Sequence, residues 1–177
     1  RSLGDIGWNG TQMPKLWRYN QHYFDDLNGA MSEQRSVWHY ALLDNWCQNN
    51  PSPTGVGWEP YPCSLRIVNW IKWHLSLGKL SKVHIESLAA QTRHVSRMLE
   101  YHLLGNHLLA NAKALVFGGC FFEGVEAEKW LSSGLAILQE ELPEQILDDG
   151  GHFERSPMYH SIILEDLFDL IHLSSVY

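Results

Sequence analysis

The chain is poor in cysteine: Cys47, Cys63 and Cys120 are the three in 177 residues, too few and too scattered for a disulfide framework. They read as three buried thiols. It is also short of base, with 13 Lys and Arg against 20 Asp and Glu and a net charge of -7. No basic stripe is present, so nucleic acid is excluded as the main partner, because phosphate binding rests on clustered cations. Long apolar runs are missing too. The stretch from Leu108 to Phe117 is broken by Asn111 and Lys113 and falls short of the roughly 20 residues that span a bilayer. The sequence opens on Arg1 without a charged-then-apolar leader, so any signal peptide is expected to have been removed or not included.

Several catalytic signatures are absent. There is no GxSxG and no glycine-rich phosphate loop. Ten His invite a metal reading, yet His102/His107 and His152/His160 lack the spacing of a helical HExxH or a Cys/His zinc site. His152-Phe153-Glu154 imitates half of a zinc deaminase motif but has no pair of cysteines at the required offset. Neither a metal nor a cofactor is expected.

What is present is a globular composition, 45% hydrophobic and 19% charged, long enough for one sizeable core. Eight Trp, seven Tyr and six Phe exceed what an ordinary core requires. Residues 1–30, with Gly4, Gly7, Gly10 and Pro14 among the aromatics, read as an extended lead-in ahead of a helical domain over 31–177. A helix is predicted from Ser32 to Cys47, ended by Asn49-Asn50-Pro51. Residues 51–62 hold four Pro and two Gly and read as a loop that displays Trp58 and Tyr61.

The next helix is expected over Leu65 to Leu77, with Ile67, Trp70, Ile71 and His74 at helical spacing. Another is expected over Lys82 to Leu103, with Ile85, Leu88, Ala89, Val95, Met98 and Leu99 buried. A fourth begins at Asn106 and stops at Gly118-Gly119; a fifth covers Val125 to Ile146, bent or split by Pro143. Asp148 to Gly151 is a turn. Ser156-Pro157 then supplies an N-cap and a first-turn proline for a last helix running to Ser174. Six helices on short connections without a strand predict an all-α fold of antiparallel hairpins forming an incomplete α/α toroid.

Two polar constellations stand out. In Gly105-Asn106-His107, with Asn111 one turn on, an N-cap Asn106 would leave His107 and Asn111 on a polar, uncrowded face continued by Ala114 and Gly118. A helix start offers N–H groups and a positive dipole end, a seat for a carboxylate. The plainer reading is a cap and a satisfied imidazole. The second constellation, from His152 to His160, places six polar or ionisable side chains in nine residues at a turn-to-helix junction, where catalysis concentrates. A phenol titrates near 10, so Tyr159 needs about 4 kcal/mol of phenolate stabilisation to act as a base at neutral pH and none to act as an acid. An ordinary helix-capping surface cluster is the alternative. A third group, Trp58, Tyr61 and Arg66, could stack on a sugar and fork a carboxylate, with Trp70 and Trp73 left to the core.

Together with Trp58-Glu59-Pro60-Tyr61-Pro62 and Ser64-Leu65-Arg66-Ile67-Val68-Asn69-Trp70, the two clusters resemble the helical N-terminal region of the heparinase II/III-like polysaccharide lyases, similar to the alginate lyase toroid. The likeness starts near Trp17 in Leu16-Trp17-Arg18-Tyr19-Asn20-Gln21-His22-Tyr23-Phe24. It is strongest in Gly105-Asn106-His107-Leu108-Leu109-Ala110-Asn111 and in Asp149-Gly150-Gly151-His152-Phe153-Glu154-Arg155-Ser156-Pro157-Met158-Tyr159-His160. The resemblance implies β-elimination on a uronic-acid polysaccharide, with Asn106 and His107 neutralising the C5 carboxylate and Tyr159 protonating the leaving oxygen. Trp58, Tyr61, Arg66, Asn111, Glu154, Arg155 and His160 would bind substrate, in a periplasmic or secreted setting. Family members continue into further helices and a β-sandwich that adds active-site residues, so this chain alone is expected not to turn over. Two competing readings are an α/α-barrel glycoside hydrolase using Asp148, Asp149 and Glu154, and a non-catalytic helical module that binds glycan or protein.

Overall fold

The computed structural model describes residues 6–51, 53–103 and 105–177; Gly4 and the chain start lie outside them. The described residues are all-α. The helices are α1 (Lys15–Asn20), α2 (Ser36–Asn49), α3 (Pro60–Ser76), α4 (Lys82–Arg97), α5 (Asn106–Phe121), α6 (Val125–Gln145) and α7 (Pro157–Val176). Three 3-10 turns accompany them at Asp25–Asn28, Ser32–Arg35 and Val56–Trp58. An isolated antiparallel bridge joins Ile146 to His152. The chain divides into two compact units between Arg97 and Met98.

The first unit is an aromatic core. Trp46, Trp70 and Trp73 on α2 and α3 are fully buried, and Trp46 meets Trp70 edge-on with ring centroids 5.6 Å apart. The described part of the lead-in, from residue 6 on, is not extended. It turns through α1 and Asp25–Asn28 because its own rings have a core to enter: Trp8 stacks on Phe24 at 5.9 Å, and Phe24 meets Trp70 edge-on at 5.5 Å. His22 is wholly buried between them, accepting from the Trp46 indole N–H at 3.0 Å through Nδ1, with Nε2 2.9 Å from the Trp8 carbonyl.

Helix α3 starts at Pro60, earlier than the sequence suggests, because proline at a first helical position loses no bond. The predicted helix at Ser32 opens as a 3-10 turn and becomes α-helical from Ser36. Of the α4 stripe, Leu88 and Val95 are fully buried, whereas Met98 is exposed beyond the helix end.

The second unit is built on α5, whose residues from Leu108 to Gly118 are all buried. A helix apolar nearly all round belongs at a centre. Gly118-Gly119 does not stop it, and Gly119 admits α6: a Cβ there would lie 2.6 Å from Leu131. Helix α6 likewise runs through Pro143 to Gln145. The three thiols are free, Cys63 buried and Cys47 and Cys120 only half-buried; burial pushes the Cys63 thiol up to about 11.

Candidate active site

The second unit carries both polar constellations. Gly105, not Asn106, is the residue before the helix: it has φ 91°, a left-handed conformation that favours glycine, and Asn106 is the first residue of α5. Asn106 and His107 are half-buried in the first turn, whose N–H groups have no carbonyl four residues back inside the helix.

The face below them is not open. Asn111 and Ala114 are fully buried, and Asn111 is occupied by Glu100. Its Oδ1 accepts from the Glu100 N–H at 3.0 Å while its Nδ2 donates to Glu100 Oε2 at 3.2 Å. Glu100, itself 5% exposed, brings Oε1 to 3.2 Å from His107 Nδ1. Asn111 is thus a clamp inside the fold, which removes it from direct substrate contact. Sequence reading missed Glu100 because a lone glutamate between two helices carries no local pattern.

The second constellation is folded against the first. After α6 the chain reverses through Asp148 to Gly151, pinned by Leu147 N–H to the Gly151 carbonyl and by Phe153 N–H to the Gln145 carbonyl, both 2.9 Å. Gln145, buried at the end of α6, donates through Nε2 to the Gly105 carbonyl at 3.1 Å. Its Oε1 lies 3.4 Å from Nε2 of the buried His152. Glu154 completes the contact, since a Cβ on Gly105 would lie 2.6 Å from Glu154 Oε1. The two segments, about forty residues apart in sequence, therefore abut at Gly105.

Ser156 caps α7 as predicted, its Oγ accepting from the Tyr159 N–H at 3.5 Å, with Pro157 in the first turn. Tyr159 is half-buried, its ring centroid 6.4 Å from that of His152. Arg155 takes φ 54° and, like Glu154 and His160, is exposed. Asp149 is committed to the turn, accepting from the Gly151 N–H at 2.9 Å, as a corner-capping residue does. That use argues against Asp149 as a hydrolytic carboxylate. Among the described residues no three His, Cys, Asp or Glu side chains are grouped to hold a metal ion.

The third group belongs to the first unit. The loop expected to display Trp58 buries it instead, at 5% exposure, with its indole N–H donating to the Asn50 carbonyl at 3.2 Å. Tyr61 is half-buried on the first turn of α3, edge-on to Tyr23 at 6.1 Å. Arg66 is fully buried: Nε donates to Gln91 Oε1 at 2.8 Å, Nη1 to the His22 carbonyl at 3.3 Å, and the guanidinium sits 4.0 Å from the Trp46 ring centroid. Burial pulls it down to about 10, which leaves it charged at neutral pH. Trp58 and Arg66 are core residues: the Trp58 indole N–H and the Arg66 Nε and Nη1 find partners inside the fold, and Arg66 Nη2 is buried without one.

Fold and site together define a class: an all-α unit in which an Asn-His helix start is backed by a hairpin that leads into a tyrosine-bearing helix. The model of the heparinase II/III N-terminus matches residues 18–177, and the chain belongs to that family of polysaccharide lyases. A heparin-sulfate lyase of Bacteroides thetaiotaomicron is 30% identical over 144 residues, 75% of this chain and 20% of the relative. One from Bacteroides stercoris is 34% identical over 140 residues, 76% and 21%. One from Pedobacter heparinus is 39% identical over 57 residues, 32% and 9%. The chain thus spans about a fifth of the length of the first two. No solved structure gives a significant match.

Proposed function

We propose that this chain is the helical part of a lyase that cleaves a uronate-containing glycosaminoglycan of the heparan type by β-elimination. The observation that carries the reading is the contact at Gly105, where Gln145 and Glu154 hold the hairpin leading to Tyr159 against the start of the Asn106-His107 helix. The matched relatives are named for lysis of heparin sulfate, which supports the substrate class.

In this mechanism the Asn106 amide and the His107 imidazole take the C5 carboxylate of the uronate, drawing off charge that otherwise opposes removal of the C5 proton. A base removes that proton. The electron pair forms the C4–C5 double bond, the C4–O bond breaks, and the Tyr159 hydroxyl protonates the departing oxygen. One fragment leaves with a 4,5-unsaturated uronate and the other with a new hydroxyl, so no water is consumed. Glu154, Arg155 and His160 are exposed beside Tyr159 in sequence and serve as substrate contacts. The toroid arc, the base and the partner β-sandwich belong to the same reading of a longer protein.

The test is Tyr159→Phe in the full-length protein. The expected result is a loss of kcat of about a hundredfold or more with binding of the polymer retained. Unchanged kcat would overturn the assignment of Tyr159.

A further inference from the structure

We propose that Glu100 is a positioning residue that holds His107 by its Nδ1–H, so that Nε2 is the nitrogen left to meet the substrate, a role that rests on the carboxylate-binding reading of His107. A carboxylate taken out of water is costly unless its oxygens are hydrogen-bonded. Glu100 is 5% exposed and meets that condition by a reciprocal arrangement with one side chain: Asn111 donates to Oε2 at 3.2 Å and accepts from the Glu100 N–H at 3.0 Å. Asn111 is fully buried one helical turn after His107, so the clamp and the imidazole stand on the same stretch of α5.

The remaining oxygen, Oε1, lies 3.2 Å from His107 Nδ1. An ionised carboxylate only accepts, so the proton of this bond is on Nδ1. Nε2, across the ring, is then directed away from Glu100. The His107 side chain keeps 29% of its surface exposed while Glu100 keeps 7%. The acid is inside and the imidazole bridges it to the surface, the arrangement by which a carboxylate holds a working histidine in orientation. When the ring takes a second proton on Nε2, the imidazolium donates Nε2–H to a substrate carboxylate and Glu100 is the counter-charge on its other edge. Glu100 touches no substrate; it acts through His107.

Two measurements test this. The first needs no variant: nitrogen-15 NMR of His107 in this chain, at a pH where the ring is neutral, is expected to report a protonated Nδ1. A ring protonated on Nε2 alone would overturn the proposal. The second is a double-mutant cycle in the full-length protein, with unsaturated uronate formed from heparan as the readout. Glu100→Gln, which keeps the volume and removes the charge, is expected to lower kcat/KM by about tenfold or more in the wild-type background and by less than about twofold further in His107→Ala. Equal losses in both backgrounds would assign Glu100 to the scaffold and overturn the positioning role. If His107→Ala is slow while Glu100→Gln matches wild type, the positioning role alone falls. If His107→Ala turns over at full rate, the carboxylate reading of His107 falls and takes the positioning role with it.

Discussion

At the scale of single residues, Asn111 and Glu100 satisfy one another across eleven positions of chain. Asn111 uses both ends of its amide on Glu100, so Asn111→Ala leaves a buried carboxylate oxygen and a backbone N–H without a partner. The expected loss is about 2 to 4 kcal/mol, read from chemical denaturation of the wild-type and variant chains. His22 yields a pH dependence. Its burial, then the nearby Arg66 charge, pull it down to about 3. An unfolded histidine titrates near 6.5, so between these values the unfolded chain binds a proton that the native chain does not. Stability therefore falls as pH drops from 6.5 toward 3, by up to about 1.4 kcal/mol per pH unit. Urea melts followed by tryptophan fluorescence should show a slope that His22→Gln reduces; a slope unchanged by that variant would contradict the assignment.

At the scale of elements, close approach and buried charge hold the second unit together. A Cβ on Gly134 of α6 would lie 2.8 Å from the Ala112 carbonyl oxygen in α5, and main chain cannot rotate away as a side chain can. Gly134→Ala is expected to destabilise by about 1 to 3 kcal/mol despite its better helix propensity, measurable as a lowered Tm. Lys113 on α5 reaches Asp166 at 2.7 Å and Asp169 at 2.5 Å on α7. Lys113→Met should cost about 3 kcal/mol or more by leaving two carboxylates uncompensated, and pairing it with Asp166→Asn should recover part of that loss. These elements also show what was legible in sequence. The start of α7 was readable because Ser156 and Pro157 are local chemistry. The end of α4 at Arg97 was not, since the chain there is directed by Asn111, fourteen positions on, taking the Glu100 N–H. Gly118-Gly119 misled for the same reason: in isolation two glycines break a helix, whereas here Gly119 lets α6 approach α5. Trp58 misled because a proline-rich loop signals exposure, and only the folded first unit reveals the Asn50 carbonyl and the Trp46 ring that bury it.

At the scale of the whole molecule, the proposed function sets a chain of net charge -7 against an acidic polymer. Long-range repulsion opposes that encounter, so affinity must come from cations close to the proposed site or from other parts of a longer protein. The 177-residue chain by itself is accordingly expected to release no unsaturated uronate from heparan, chondroitin, hyaluronan or alginate, and detectable release would show that the helical part is sufficient. The central claim, that this family member breaks its glycosidic bond by elimination, is tested most directly by the mass of the products that the full-length protein makes from heparan. Elimination predicts fragments with an unsaturated, ultraviolet-absorbing end, lighter by one water than their hydrolysed equivalents; fragments that carry the added water and no such absorbance would contradict the account.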